Sequence, residues 1–375
     1  MPKLVMFCHS LRSDWNHGNA HFLRGILGEC WHRGFDVLAL EPANSWSARN
    51  LLEDHGAEAL ETWREVYPPL PLVIYDPARL DLDRVLEGTD LVLVHEWNEP
   101  ELVARIAAHR KSKSSYLLLF HDAHHRVVSA PDVIHGMHLD GFDGVLAFGE
   151  VLREAYIRRS WARRAFLWHE AADLRVFAPR PEVVRERDLV WIGNWGDDER
   201  TAELQEFLVE PVASLGLSAR VHGVRYPHDA RQVLAQAGME FAGYLPNFRV
   251  PDAFAAAAAT VHIPRRPYVR MLPGIPTIRV FEALACEIPL VCAPWEDTEG
   301  LFTPGEDFLV ARSGAEIRGH LDAIRHEPEL AAELSRHGRA TIEARHSCAH
   351  RVDELLAICR ALGRDLCPPQ TVAAQ

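Results

Sequence analysis

The sequence lacks the marks of membrane, secreted and nucleic-acid-binding proteins. No apolar run approaches the roughly 18 residues of a transmembrane helix. The N-terminal stretch MPKLVMFCHS is too short an apolar run for a signal peptide. The formal net charge is -13, whereas nucleic-acid-binding proteins usually carry a basic surface. We therefore expect no membrane span and no nucleic-acid partner.

Motifs for disulfides and metals are also absent. The 375 residues include seven cysteines, an odd number, and neither Cys-x-x-Cys nor His-Glu-x-x-His occurs. Cysteines inside apolar segments behave as small hydrophobic residues, so the pattern predicts a reduced, cytoplasmic protein. His121, His124 and His125 form a cluster, but chance produces such clusters among 21 histidines. We expect no metal and no other cofactor.

The length and the hydrophobic pattern favour two α/β domains. At about 100 to 200 residues per domain, 375 residues suggest two. Short runs that are apolar throughout, such as KLVMFC, DLVLVHEW and SYLLLFHD, alternate with helical segments such as EPELVARIAAHR. Runs of this kind suit strands that are covered on both faces. The alternation predicts doubly wound, Rossmann-like parallel sheets with crossover helices.

The alternation pauses at residues 172–188, a charged, proline-bearing stretch that we interpret as a linker. It then resumes, with a helix predicted over VPDAFAAAAA before the strand TVHIP. We predict an N-terminal domain over residues 1–178 and a second domain over residues 188–348. Such domains bind ligands at the carboxyl ends of their strands, and we expect those ends to face each other across a cleft.

The stretch IPTIRVFEALACEIPLVCAPW, residues 275–295, places a carboxylate in an apolar helix. The helix is predicted to start near Pro276 or Thr277, because proline is tolerated in the first turn and threonine can cap a helix. Arg279 and Glu282 are three residues apart and share one face. In one interpretation the helix N-terminus binds a phosphate and Glu282 accepts hydrogen bonds from sugar hydroxyls. In the other, Arg279 and Glu282 form an ion pair on a solvated surface.

The segment RVFEALACEIPLVCAPWEDTEGLFTPGEDFLVARSGAEI resembles the donor-binding end of GT-B glycosyltransferases, in particular family 4 and the CgeB-like group. AADLRVFAP, RHSCAHRVDELL and an N-terminal block are similar to other parts of these enzymes, so the resemblance covers nearly the whole chain. It implies that Glu282 holds the ribose of a nucleotide sugar. It also implies that the backbone around Gly274, Thr277, Ile278 and Arg279 cradles the diphosphate. By the same resemblance, a last helix over residues 349–363 should pack back on the first domain.

The chain departs from the family pattern at two positions. Family 4 usually carries Glu-x7-Glu, and Gly274 stands in place of the first glutamate, as in the CgeB-like group. Glu287 replaces the glycine that ends the helix. A non-glycine residue in a left-handed cap costs on the order of 1 kcal/mol, which favours a different helix end here.

Further donor-binding candidates follow other strands of the second domain. GNWGDDER has two glycines that permit close approach of the backbone, and GYLPN lies where related enzymes hold the base. HIPRRPYVR supplies arginines that can pair with a diphosphate. An ordinary turn and a solvated loop remain the alternatives. The candidates are Gly193, Asn194, Trp195, Tyr244, Arg265 and Arg266.

Catalytic candidates lie in polar segments that follow strands of the first domain. Transfer to a hydroxyl benefits from a general base, for which His, Asp and Glu serve. Asp122 and His121 in HDAHH are the first candidates. His17 in SLRSDWNHGNAH and Glu96 in HEWNE follow. Such side chains are also common as structural caps in loops.

The resemblance implies a metal-independent glycosyltransferase that moves a sugar from a nucleotide diphosphate donor, such as a UDP-sugar, to an acceptor hydroxyl. Two alternatives remain open. One is a nucleotide-sugar epimerase on the same architecture, and the other is a binding protein without catalytic activity, for which Gly274 would mark the lost glutamate.

Overall fold

The computed structural model describes residues 1–113, 115–196 and 198–367, which form two units. Unit 1 comprises Met1–His169 and the described residues from Cys348 onward, and unit 2 comprises Glu170–Ser347. Each unit contains one parallel sheet. Among the described residues, no helix combines the length and the hydropathy needed to span a membrane. Six of the seven cysteines are buried, as expected for small hydrophobic residues.

Unit 1 has a seven-stranded sheet of order β3-β2-β1-β4-β5-β6-β7. Its strands are β1 Lys3–Phe7, β2 Asp36–Pro42, β3 Leu72–Tyr75, β4 Leu91–His95, β5 Leu117–Asp122, β6 Gly144–Ala147 and β7 Ala165–Leu167. Its helices are α1 Ala20–His32, α2 Trp46–His55, α3 Leu82–Val85, α4 Pro100–Lys113, α5 Arg126–Ser129, α6 Pro131–His135 and α7 Glu150–Arg158. Short 3₁₀ turns occur at Ala57–Leu60, Thr62–Glu65 and Leu139–Gly141.

The two central strands β4 and β5 are buried along their whole length. Both were expected to be covered on two faces because their sequences are apolar throughout. The final helix of the chain, Cys348–Ala361, packs against α1 within unit 1. The indole N–H of Trp168 donates to the carbonyl of Arg351 over 2.7 Å, which attaches this helix to the end of the sheet.

Unit 2 has a six-stranded sheet of order β10-β9-β8-β11-β12-β13. Its strands are β8 Arg187–Ile192, β9 Ala219–His222, β10 Glu240–Gly243, β11 Ala257–His262, β12 Leu290–Cys292 and β13 Leu309–Val310. Its helices are α8 Thr201–Leu204, α9 Glu210–Leu215, α10 His228–Gln236, α11 Val250–Ala255, α12 Arg266–Arg270, α13 Ile278–Ala285, α14 Gly314–His326 and α15 Pro328–Arg345; the last helix of the chain is α16. A π-helical turn at Gln205–Val209 joins α8 to α9, and a 3₁₀ turn occurs at Asn247–Arg249.

The alanine run was assigned wrongly from the sequence. The predicted helix over VPDAFAAAAA ends at Ala255, and β11 begins at Ala257. Ala257 and Ala259 pair with Arg187 and Leu189 of β8. Alanine has the highest helix propensity, but here hydrogen bonding to neighbouring strands overrides that preference, as tertiary context commonly does.

The C-terminus of α13 also differs from expectation. Glu287 adopts the left-handed conformation with φ of 56°. Its N–H donates to Leu284 and the N–H of Ile288 donates to Ala283, which is the bonding pattern of a Schellman motif. The helix therefore ends as it would with glycine, and Glu287 carries the backbone strain.

We expect Glu287→Gly to stabilise the protein by about 1 kcal/mol, because glycine adopts the left-handed conformation without a steric penalty. Urea unfolding should show a higher midpoint at an unchanged slope. Glu287→Ala is the matched control, since it removes the carboxylate but keeps the Cβ. An equal gain from both variants would trace the effect to charge and contradict the strain argument.

Candidate active site

The strand order of unit 2 brings two predicted residues together. The strand order reverses between the neighbouring parallel strands β8 and β11, and open α/β sheets bind ligands at such a point. Asn194 follows β8 and Arg265 follows β11. Arg265 Nη2 donates to Asn194 Oδ1 over 2.9 Å, and its Nη1 donates to Glu199 over 2.6 Å. The guanidinium of Arg265 therefore lies at the carboxyl edge of the sheet.

Arg200 is a central residue of this site that the sequence analysis missed. Its guanidinium donates to Asn194 Oδ1 and to the carbonyl of Ile263, each over 2.9 Å. Burial, with the positive charges of Arg265 and Arg279 acting in the same direction, lowers the pKa of Arg200 to about 10. Arg265 and Arg279 thus both lie close enough to repel Arg200.

Arg200 also explains the two glycines of GNWGDDER. A Cβ at Gly196 would lie 2.6 Å from Cγ of Arg200, and one at Gly193 would lie 2.8 Å from the ring of Trp191. The sequence analysis interpreted these glycines as room for a ligand. In the structure, side chains of the protein itself fill that room.

The start of α13 lies beside this arginine cluster. Thr277 occupies the N-cap position, but its side chain makes no capping hydrogen bond, contrary to the capping role suggested from the sequence. Its hydroxyl instead lies 3.0 Å from Nε2 of His262. Burial lowers the pKa of His262 to about 3, with Arg200 and Arg279 acting in the same direction. His262 is therefore a neutral partner for Thr277.

Glu282 is fully buried, so the solvated ion-pair interpretation is wrong. Asn247 Nδ2 donates to Glu282 Oε1 over 3.0 Å, and Arg279 forms an ion pair with the same carboxylate. Asn247 belongs to the predicted GYLPN segment but was assigned no role. Tyr244 of that segment follows the edge strand β10 and is partly buried.

A second buried carboxyl, Glu170, lies near Glu282 and was also missed. Burial raises the pKa of Glu170 well above its usual value, and the charge of Glu282 adds to the rise. The backbone N–H of Ile278, the first residue of α13, donates to Glu170 and opposes the shift. The carboxylate in the apolar setting of FLWHEAAD was the available signal.

Gly274 has a steric reason to be glycine. Its φ is 90°, and a Cβ would lie 2.0 Å from Oγ1 of Thr298. With this backbone, a glutamate cannot occupy the position that carries the first glutamate in family 4. The departure from Glu-x7-Glu therefore belongs to the local structure of the loop.

Trp195 and Arg266 line a different feature, a pocket of about 510 Å³. Arg266 pairs with Glu203 over 2.8 and 3.1 Å. Neither Thr277, Arg279 nor Glu282 is among the residues that line this pocket. The predicted donor-binding residues thus fall into two groups, and the group with Arg265 and Asn194 adjoins α13.

The two histidine candidates of unit 1, His17 and His121, belong to a continuous row of rings that His95 completes. The ring of His17 lies 5.9 Å from that of His95, which lies 5.1 Å from that of His121. All three are at most a few per cent exposed. Burial lowers their pKa values, to about 3 for His121, so the rings are neutral at pH 7.

Asp122 and Glu96 lie in the interior of unit 1, and both side chains are fully buried. Tyr156 donates its hydroxyl to Asp122 Oδ2 over 2.6 Å, and the N–H of His124 donates to Oδ1 over 3.1 Å. Burial raises the pKa of Asp122 to about 6. Glu96 pairs with Arg126, yet burial raises its pKa to about 8.

Potential metal ligands are not grouped in this structure. Among the residues it describes, no set of three or more His, Cys, Asp and Glu side chains is arranged to hold a metal ion. The positive charge near α13 comes from arginine side chains.

Residues 200–357 match the family model described as glycosyl transferase-like. The match includes Arg200, all of α13 and most of α16, so it contains the arginine cluster and Glu282. Over these residues it supports the predicted resemblance to glycosyltransferases. No curated protein matches the sequence.

Solved structures match nearly the whole chain and show its fold. Sucrose-phosphate synthase from Thermosynechococcus elongatus has 14% identity and a TM-score of 0.64, covering 97% of this chain and 99% of that chain. HepE from Anabaena, in complex with UDP and glucose, has 14% identity and a TM-score of 0.66, covering 96% and 100%. T4 phage BGT, in complex with UDP-glucose, has 13% identity and a TM-score of 0.62, covering 97% and 100%. The predicted GT-B fold is confirmed.

Proposed function

We propose that the chain transfers a sugar from a nucleotide diphosphate sugar, with uridine as the base, to an acceptor hydroxyl. The family match supports glycosyl transfer. Two proteins with the same fold were solved with UDP or UDP-glucose, which motivates the choice of donor. In this proposal unit 2 binds the donor and unit 1 supplies the groups that act on the acceptor.

The observation that carries the proposal is the convergence of Arg200, Arg265 and Arg279 beside the start of α13. Arg265 is paired with Glu199 and Arg279 with Glu282, yet the positive charges of both still contribute to the lowered pKa of Arg200. Positive charge therefore remains at this point, and it favours the binding of an anion. The N-terminus of α13 adds backbone N–H groups and the positive end of the helix dipole. A diphosphate would bring negative charge to the arginines and oxygens that accept hydrogen bonds from these N–H groups.

Glu282 is the proposed partner of the ribose. Its carboxylate is held in place by Asn247 and Arg279, so it does not need to be ordered when the ligand binds. A buried carboxylate is a strong acceptor for hydroxyl groups. It lies one turn into the helix whose N-terminus faces the diphosphate.

We further propose that the enzyme is metal-independent, cytoplasmic and related to the CgeB-like branch. The arginines and the helix N-terminus can balance the charge that develops on the leaving diphosphate, which is the role that a cation has in other transferases. The feature shared with that branch is Gly274, a position where the backbone conformation and the nearby Thr298 favour glycine.

Asp122 is the proposed general base for the acceptor hydroxyl. A pKa of about 6 leaves the carboxyl largely ionised at pH 7 and makes it a stronger base than an ordinary aspartate. His121, whose pKa is lowered to about 3, is a weaker base. Glu96 and His17 are the remaining candidates for the general base.

UDP should raise the melting temperature, because a ligand that binds only the native state stabilises it by about 2.7 kcal/mol at 100 times its Kd. Uridine, which lacks the diphosphate, should give a much smaller shift. A thermal-shift series with UDP, GDP, ADP and uridine makes the comparison. The proposal fails if no nucleoside diphosphate produces a shift.

A further inference from the structure

Aromatic side chains follow four neighbouring strands of unit 1. The order β2-β1-β4-β5 places these strands side by side. Trp46 follows β2, His9 follows β1, Trp97 follows β4 and His124 follows β5. The strand order reverses between the parallel strands β1 and β4, and a reversal of this kind opens a crevice at the carboxyl edge of the sheet. These side chains therefore lie where an open α/β sheet binds ligands.

The rings form one contiguous group. His9 lies 4.8 Å from Trp46 and 6.2 Å from Trp97, measured between ring centroids. Trp46 and Trp97 are 6.0 Å apart with an interplanar angle of 69°. The ring of His124 lies 5.0 Å from that of Trp97. Both tryptophans are partly exposed. We call Trp46, Trp97 and the His9 ring beside them the aromatic corner.

The aromatic corner is held rigidly by its surroundings. The guanidinium of Arg126 lies 4.2 Å from the ring centroid of Trp97, and Arg126 is paired with the buried Glu96. His9 Nε2 accepts from the backbone N–H of Ser47 over 3.4 Å. Rings that are already fixed lose little conformational entropy when a ligand binds.

We propose that the aromatic corner binds a saccharide ring, and that this saccharide carries the acceptor hydroxyl of the transfer reaction. The inference rests on the proposed function, and it adds the chemical class of the acceptor. A sugar presents C–H groups, which are attracted to the electron-rich face of an indole. It also presents hydroxyl groups, one of which the reaction requires.

The geometry favours a sugar over a flat base. Two rings at 69° form two walls, which suit the three-dimensional shape of a pyranose, whereas a planar base is best sandwiched between parallel rings. The rings of the aromatic corner carry no charge, because burial lowers the pKa of His9 to about 4 and its ring is neutral at pH 7. The guanidinium of Arg126 is engaged by a hydrogen bond to Glu96 and by the Trp97 ring. The rings therefore suit an uncharged ligand.

The test compares Trp46→Ala and Trp97→Ala with Trp31→Ala. Trp31 lies on α1, is 38% exposed and is outside the aromatic corner. The probes are the methyl glycosides of glucose, galactose, mannose and N-acetylglucosamine as acceptors, with UDP-glucose, UDP-galactose and UDP-N-acetylglucosamine as donors. Transfer is followed by mass spectrometry, and glycoside binding by saturation-transfer NMR. UDP titration of each variant checks the donor site separately.

We expect the acceptor KM to rise roughly tenfold in both corner variants, the size expected for the loss of one aromatic contact. Trp46→Phe should recover most of that loss, and Trp31→Ala should leave the KM unchanged. UDP affinity should stay the same in all variants.

Two results would overturn the inference while leaving the proposed function intact. One is an unchanged acceptor KM in both corner variants. The other is a wild-type protein that binds UDP but neither binds nor glycosylates any of the methyl glycosides. Failure of the wild-type protein to bind UDP would instead overturn the proposed function.

Discussion

Asp122→Asn should lower turnover by ~10²–10⁴-fold, the usual contribution of a general base. The amide cannot accept the proton of the attacking hydroxyl. Donor affinity should hardly change, because the proposed donor residues lie in unit 2. In the unmodified enzyme, turnover should fall as the pH decreases through about 6, since the carboxyl then becomes protonated. Initial rates at saturating acceptor measure turnover, and titration with UDP measures donor affinity.

Asp140→Asn is the matched control for this prediction, because Asp140 is an exposed aspartate of the same unit. Its turnover should equal that of the unmodified protein. His121→Ala separates the two first candidates and should have the smaller effect. If Asp122→Asn keeps near-normal turnover, the Tyr156–Asp122 hydrogen bond is purely structural, and the base must be sought at His17 or Glu96.

Glu282→Gln should weaken UDP binding by about tenfold to a hundredfold. Losing a hydrogen bond to a charged acceptor costs ~1.5–3 kcal/mol. Glutamine keeps the shape of the side chain and an oxygen that can accept from Asn247, so the fold should survive. Calorimetric titration measures the affinity, and urea unfolding checks the fold. Alanine is the less informative variant, because it also removes the oxygen that accepts from Asn247 and leaves a cavity at a fully buried position.

Glu287→Gln is the control for Glu282→Gln, since it makes the same change at an exposed position directly after the same helix. UDP affinity should be unaltered in this variant. Equal affinities in Glu282→Gln and the unmodified protein would make the Arg279–Glu282 pair a structural element of α13 and leave the ribose without its proposed partner.

The features that sequence predicted well are those that depend on local patterns. The apolar runs of β4 and β5 and the periodicity of α13 are each contained in fewer than about 20 residues, which is the scale at which hydrophobic periodicity is informative. Glu282 could be chosen as a candidate from the sequence for the same reason, because a carboxylate within an apolar helix stands out in a short local pattern. The alanine run shows the limit, since Ala257 and Ala259 carry almost no pattern and their strand depends on neighbours distant in sequence.

The remaining parts of the site depend on contacts between distant segments. Arg200 meets Asn194 nearby, but its relation to Arg265 and Arg279 arises only when β8 and β11 are adjacent. Glu170 reaches the N–H of Ile278, more than 100 residues away. No single-sequence pattern specifies such pairs. The glycines near Arg200 leave space that protein side chains fill, and no short sequence pattern shows which side chain does so.

The central claim is that the protein is an enzyme acting on a nucleotide diphosphate sugar, and release of UDP tests it most directly. The protein is incubated with UDP-glucose, UDP-galactose or UDP-N-acetylglucosamine without acceptor, and free UDP is measured over time. The account predicts slow release from at least one donor, in proportion to protein concentration and strongly reduced in Glu282→Gln at subsaturating donor. Tight binding of these donors with no release of UDP, either alone or with the methyl glycosides, would contradict it and indicate a binding protein without catalytic activity.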